Sequence, residues 1–318
     1  MVGKLTPDDI ATASIVPAIM GYSRYKTRND TLADAIAAMN GKVRAWTSSE
    51  PAEWGNRLEG IIIAEAARRL NLSDLVTEFD AAYFHPRIKL ACSLDGTAVG
   101  DGTKIRTNVA AGVYCMTSPW IKLDGKGIIE SKLTSAQAEE NPPLSRGPLQ
   151  LQAQMLCTGL KWGVVATLYR GTELRLFVYD QDWEMQDRII DAVNEFEQRK
   201  INCDWYPSES PSDAASVYVN PEDDLPPIDL ANSVDGEQAL AEYLDSKAMV
   251  ESAEQRLQHS QTILMDIMAL HKKARGFVGN KMYEVTWPTR SYKAQPEKIV
   301  PAKPAHTART KTLSVKEV

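Results

Sequence analysis

The chain opens on apolar positions at helical spacing. Residues 7–40 predict a helix, a loop and a second helix, with "GYSRYKTRND" between them. "TLADAIAAMNG" keeps the spacing and ends on a glycine, a common helix stop. A longer helix is expected from Ala52 to Leu70, closed by Asn71. "FHPRIKLACSLDG" reads as a short strand entering a turn, and residues 98–126 as a Gly-, Thr- and Asn-rich insertion. The strand "GIIESKL" follows. "PLQLQAQMLCTGLKWG" is a helix begun by proline and ended by glycine. "GVVATLYRGTELRLFVYD" is a hairpin of two alternating strands around Gly171-Thr172, and "EMQDRIIDAVNEFEQRK" is an amphipathic helix. This order predicts an α/β fold, a mixed sheet covered by helices.

From 206 to 235 the chain is acidic and rich in Pro and Ser without a period, which reads as an extended linker after a first domain over 1–205. Residues 236–290 predict a helical extension, one long helical stretch through "HKKARGF" and then a strand at "KMYEVTWPT". Residues 291–318, rich in Pro, Lys and Thr, read as a basic, disordered tail, which either holds DNA loosely through phosphates or serves only as an unstructured solubilising segment. No internal repeat is evident.

A net charge of −6 argues against a chain that is basic overall, although basic residues gather early and at the end. No apolar run is long enough to cross a bilayer, and the opening residues lack a signal pattern, so a cytoplasmic protein is expected. Cys92, Cys115, Cys157 and Cys203 are isolated. They make no C-x-x-C pair, which disfavours zinc ribbons, thioredoxin-like motifs and Fe–S clamps.

The chemistry lies in the acids. On its helix Glu59 falls on the apolar stripe of Ile62, Ile63, Ala66 and Leu70, where a carboxylate needs a cation or donors. Glu65 instead faces Arg68 and Arg69 as a solvated ion pair. Asp95 ends an apolar strand, and Asp101 reads as a turn residue. Ile128, Glu130 and Lys132 share one face of their strand. They suit either a cross-strand salt bridge or a site in which Glu130 joins Asp95 and Glu59 around a hard cation, Mg²⁺ or Mn²⁺. The Ser131 carbonyl is a natural further ligand. Lys132 is placed to orient or deprotonate a water or to offset charge in a transition state. Gln150 and Gln152 lie on the next helix. Gln152 shares a face with Met155, Leu156 and Gly159, a placement that aims its amide at the site.

An early "TAS", a helix with W-G-x-x-x-E, then "SLDG", "ExK" and "QxQxxMxxTG", in that order over residues 8–200, resemble the YqaJ-like phage recombinases. These are relatives of the lambda exonuclease in the PD-(D/E)xK nuclease superfamily. The resemblance implies a restriction-endonuclease-like core with a C-terminal helical extension. It also implies Mg²⁺-dependent 5′→3′ digestion of one strand of duplex DNA, leaving a 3′ single strand for an annealing protein. Asp95 then matches the aspartate of "PD", Glu130 and Lys132 the "ExK", Glu59 the helix glutamate, Gln152 the active-site glutamine, and Ser14 the serine that contacts a 5′-phosphate. A toroidal homo-trimer on DNA ends is the implied assembly.

The chain departs from the pattern in four places. Leu94 stands where the proline is usual, and the spacing from Asp95 to Glu130 is long. Only Lys4 offers a cation before the "TAS" serine, which makes Arg24, Lys26 and Arg28 candidates for the phosphate, or else a solvated basic loop. The segment beyond Tyr206 has no counterpart in the lambda enzyme. Two other functions fit the same residues: an endonuclease or flap-cutting repair nuclease, and a non-catalytic DNA-binding assembly subunit.

Overall fold

The computed structural model describes residues 5–42, 49–218 and 225–289, which form two compact units meeting in sequence near Asn220. Lys4, the tail 291–318 and part of the expected linker lie outside the described residues.

In the first unit the order is β1 (Ala11–Thr12), α1 (Val16–Ile19), α2 (Arg28–Met39), α3 (Glu50–Arg69), β2 (Ser73–Val76), β3 (Tyr83–Phe84), β4 (Leu90–Cys92) and β5 (Gly96–Arg106). It continues with β6 (Val113–Cys115), β7 (Trp120–Thr134), α4 (Pro148–Thr158), β8 (Trp162–Tyr169), β9 (Glu173–Asp180), α5 (Trp183–Asn202) and α6 (Pro211–Val217). Six strands make a mixed sheet in the order β2-β5-β7-β8-β9-β6, parallel at β7/β8 and β9/β6 and antiparallel elsewhere. A small sheet, β1-β4-β3, lies beside it. The expected mixed sheet flanked by helices is the fold observed.

Two apolar layers sandwich the large sheet. Ile128, Val165 and Phe177 pack with Leu149, Met155, Ile189 and Phe196 of α4 and α5. Their neighbours Ile129, Val164 and Val178 pack with Ile62, Ile63 and Ala66 of α3. Central strands covered on both faces need no polar side, so β8 is buried almost throughout rather than alternating as expected. Its link to β9 is three residues, with Arg170 and Gly171 both left-handed.

The expected insertion at 98–126 is largely sheet. β5 pairs with β7 from Gly96↔Ile129 to Arg106↔Trp120, and β6 crosses to the far edge beside β9. Its glycines disguised it. A Cβ on Gly100 would stand 2.3 Å from the Leu123 carbonyl oxygen, and one on Gly127 would stand 2.3 Å from the Trp162 ring. Close backbone approach, not a loop, explains glycine at both positions.

Helix ends follow local chemistry. Thr27 and Asp30 make a reciprocal capping box on α2. α3 carries Glu50 and Glu53 in its first turn and Arg68 and Arg69 in its last, which complements its dipole. α4 starts on Pro148 and stops on left-handed Gly159.

The stretch after 205 departs from an extended linker. Tyr206 is buried in the core, and α6 follows. Asp213, 2 % exposed, accepts from Thr27 Oγ1 (2.8 Å), Asn29 Nδ2 (3.0 Å) and Glu209 N (2.9 Å). A buried carboxylate with three donors ties this segment to the start of α2, a long-range contact that composition cannot reveal. Asp213→Ala strands all three donors and is expected to destabilise the first unit by roughly 3 kcal/mol, read by denaturant unfolding.

The second unit holds α7 (Val234–Met268) and a hairpin, β10 (Lys273–Val278) with β11 (Lys281–Thr286). The long helix therefore stops before "KARGF", which is strand. Left-handed Ala269 ends the helix, and the two-residue Gly279-Asn280 link fixes the hairpin. Among the described residues no helix is long and apolar enough to cross a membrane.

Candidate active site

The site lies at a fork in the large sheet. β5 begins at Gly96, paired with Ile129, so from Glu130 onward β7 keeps only β8 as a neighbour. Asp95, the residue before β5, fills the gap: its Oδ2 accepts from Ser131 N at 2.9 Å. This bond takes the place of the next rung of the ladder and fixes the carboxyl beside Glu130.

Glu130 is 1 % exposed. Its Oε1 accepts from the Lys132 ammonium, two residues along the same strand face, and its Oε2 accepts from Gln154 Nε2 at 2.6 Å. Lys132 also donates to Gln150 Oε1 at 2.9 Å. Gln150 and Gln154 are one helical turn apart on α4 and meet the strand together.

Glu59 approaches from α3, on the stripe of Ile62, Ile63 and Ala66. It is half-buried, and its carboxylate has no hydrogen-bond or ionic partner among the described residues. Burial, then the charge of Glu130, raises its pKa, with Lys132 opposing. Asp95 is raised well above the carboxylate range, first by burial and then by Glu130, with a further push from Glu59 against the pull of Lys132 and Ser131 N. Burial would lower the Lys132 amine, but Glu130, Asp95 and Glu59 outweigh it and hold its pKa up. Four side chains from α3, the β4–β5 junction and β7 thus share one electrostatic site.

Among the described residues no three His, Cys, Asp or Glu side chains stand close enough to form a metal cage. The Lys132 ammonium occupies the cation position on Glu130. The donor chemistry nonetheless suits a hard cation: Glu59 has no partner among the described residues, only Oδ2 of Asp95 is engaged, and burial together with the charge of Glu130 raises both acids.

Other sequence-selected residues fall differently. Gln152 faces away from the site. Its Nε2 donates to Asp180 O (2.8 Å), and its Oε1 accepts from Asp182 N (3.1 Å) and Gln186 Nε2 (2.9 Å). The face it shares with Met155 is the buried face of α4, and its role is to seat the start of α5. Gln154, which the sequence reading passed over, holds Glu130 instead. The signal was there, since residues i and i+4 share a helix face whereas i+2 lies opposite. Gln152→Ala is expected to lower the melting temperature with little change in kcat, and Gln154→Ala to lower kcat about tenfold or more; melting curves and initial rates for both variants check this.

Ser14 is exposed, and its Oγ lies 3.1 Å from Thr12 Oγ1. It shares a small cavity of about 20 Å³ with Gln150, Thr6, Thr12 and Ser93, which brings it to the edge of the site. A buried pair positions that segment: Glu197 Oε1 accepts from Ala11 N at 3.3 Å, and Lys200 donates to Glu197 Oε2 at 2.6 Å and to the Asp9 carbonyl. Lys26 pairs with Asp34 at 2.5 Å. Arg28 pairs with Glu209 at 2.6 Å and lies over the Tyr206 ring, so it clamps the segment after 205 instead of facing solvent freely. Arg24 is exposed, with no partner among the described residues. Glu65 pairs with Arg68 and Arg69, which hold its pKa down to about 2. Asp101 lies at a bulge in β5, accepting from Thr103 N. A larger cavity, about 580 Å³, is lined by Gln152, Tyr179 and Trp183 and contains none of Glu59, Asp95, Glu130 or Lys132.

Carboxylates and an amine gathered at a fork of a mixed α/β sheet define the class: a helix-flanked sheet carrying a charged, half-buried site on one strand face. Residues 6–161 match the family described as the YqaJ-like viral recombinase domain. No curated protein matches the chain. Solved structures similar to it include an alkaline exonuclease from Laribacter hongkongensis, 18% identical, with 62% of this chain and 90% of that one covered and a TM-score of 0.45. A phage-related exonuclease from Haemophilus somnus 129PT is 11% identical, with 61% and 95% covered and a TM-score of 0.38.

Proposed function

We propose that this protein is a metal-dependent deoxyribonuclease of the lambda-exonuclease type. In this reading it digests one strand of duplex DNA from a 5′ end and leaves a 3′ single strand for an annealing partner. The observation that carries the reading is the pairing of Glu130 and Lys132 on one strand face, with Asp95 locked beside them by Ser131 N and Glu59 coupled to all three. The YqaJ-like match supports it.

Each residue has a role in the reading. Asp95, Glu59, Glu130 and the Ser131 carbonyl would hold the ion. When bound, a divalent cation such as Mg²⁺ or Mn²⁺ shields phosphate charge and lowers the pKa of water. Lys132 is fixed from two sides, by Glu130 and Gln150, so its ammonium is preorganised to orient a water and to offset charge in the transition state. Gln154 keeps Glu130 from rotating. Ser14, beside Gln150, is placed to donate to a terminal phosphate, with Arg24 as the available cation nearby in sequence.

Incubation of end-labelled linear duplex and covalently closed circles with Mg²⁺ tests the reading. Loss of only the linear form, faster with a 5′-phosphate, is expected. Nicking of circles would replace it with an endonuclease, and inertness toward both would leave a DNA-binding subunit.

A further inference from the structure

The outer end of the β5–β7 ribbon carries a feature that the site does not use. Ile105, Ile121 and Leu123 turn one face of the ribbon toward the apolar layer under α3. The opposite face presents Lys104, Arg106, Trp120 and Lys122, all exposed. Lys104 lies directly across from Lys122, and Arg106 directly across from Trp120. Like charges in register on neighbouring strands are destabilising. Only Lys122 has an acid, Asp124 at 2.7 Å, and that pair is itself exposed. Lys104 and Arg106 have no carboxylate partner among the described residues; the Lys104 ammonium rests instead over the Trp120 ring, 4.0 Å from its centre.

We propose that this face is a binding site for single-stranded DNA, and that it takes the strand which the reaction proposed above would leave; its assignment to that strand rests on the nuclease reading. Two cations, Lys104 and Arg106, lack a carboxylate to offset them, and Lys104 faces a third, Lys122, in register; a phosphodiester chain supplies the missing anions. Lys104 and Arg106 are about 6.6 Å apart along their strand, a spacing that suits successive phosphates of an extended chain. Trp120 is 43% exposed beside them and offers a surface for an unpaired base. A duplex hides its base faces, so the aromatic contact favours a single strand. Lys122 and Trp120 lie on the same face of β7 as Glu130 and Lys132, with Lys122 about 26 Å from Glu130 along the strand. Lysines on a strand edge can also serve only to block edge pairing. That role needs neither an exposed tryptophan nor two lysines in register.

The test is fluorescence anisotropy of a labelled 20-nucleotide oligo-dT with the full chain in EDTA, over a range of salt. Lys104→Gln/Lys122→Gln is expected to weaken binding about tenfold and to reduce the slope of log K against log salt by about 1.4, two phosphate contacts' worth. Trp120→Leu is expected to weaken it about tenfold with the slope unchanged, and Arg106→Gln, at a position outside the sheet core, to reduce both. Unchanged affinity and slope in all three variants would reduce the ribbon face to edge protection. An equal loss for a blunt duplex of the same length would overturn the single-strand assignment. Because EDTA removes cutting from the measurement, the ribbon site and the nuclease reading fail separately. Absence of cutting by the unaltered protein sinks only the latter, and variants that still cut a short linear duplex while losing oligo-dT support the former.

Discussion

Lys132→Ala is expected to slow the cutting of linear duplex by about 10²- to 10³-fold, the range for loss of one preorganised charge or donor at the reacting group. The fold should suffer as well. Lys132 neutralises Glu130, which is 1 % exposed, and truncation leaves that carboxylate with Gln154 alone. Breaking a buried pair from one side costs on the order of 3–5 kcal/mol. Activity should therefore be compared at temperatures where circular dichroism shows the variant folded. Lys132→Arg separates two roles. A guanidinium keeps a cation on Glu130 and so most of the stability, but it is planar and bulkier and does not put a point charge where the ammonium stands. The expected result is a folded, nearly inactive protein. Full activity in Lys132→Arg would mean that charge alone suffices, and full activity in Lys132→Ala would remove the residue from the chemistry altogether.

Asp95→Asn should abolish cutting and yet stabilise the protein at alkaline pH. Burial and the charges of Glu130 and Glu59 raise the Asp95 pKa well above its ordinary value. A carboxyl raised in this way binds its proton more tightly folded than unfolded. Its contribution is complete below the unfolded value and is lost as pH rises through the folded one. Above its folded pKa the carboxyl is a charge that its surroundings oppose. Asparagine removes the charge, and its carbonyl can still accept from Ser131 N. A gain of roughly 2–4 °C in melting temperature at pH 8 corresponds to about 1 kcal/mol in a domain of this size, and it should shrink as the pH falls toward 4. Mg²⁺ should raise the melting temperature of the unaltered protein by mass action and that of the variant much less. Melting curves with Mg²⁺ and with EDTA at both pH values decide this. A variant that melts lower at pH 8, or responds to Mg²⁺ as the unaltered protein does, would remove Asp95 from the set of cation-holding residues.

Both experiments address a site whose parts were legible at different levels. The "ExK" face was readable because side chains alternate on a strand, and Glu59 was readable because it interrupts an apolar helical stripe. Gln152 was misassigned because its neighbours Met155 and Leu156 were read as facing the site, whereas they face the core. Helical phase alone ranks Gln150 and Gln154 together and sets Gln152 opposite. The strand β5 was missed because glycines forced by close packing look like loop residues in a sequence. The early end of α7 was missed although Gly279-Asn280 between β-forming runs is a hairpin signal.

What the sequence determined by itself was local: helix caps, strand faces, and the residue types able to hold a cation or a proton. These follow from interactions a few residues apart, which periodicity and spacing record. Tertiary structure decided which of those faces meet. It set the fork at Gly96 that lets Asp95 take Ser131 N, placed Gln154 against Glu130, buried Asp213 under α2, and exposed Lys104 opposite Lys122. Each is a contact between segments distant in the chain, and its geometry exists only once the sheet register and the packing of helices on it are fixed.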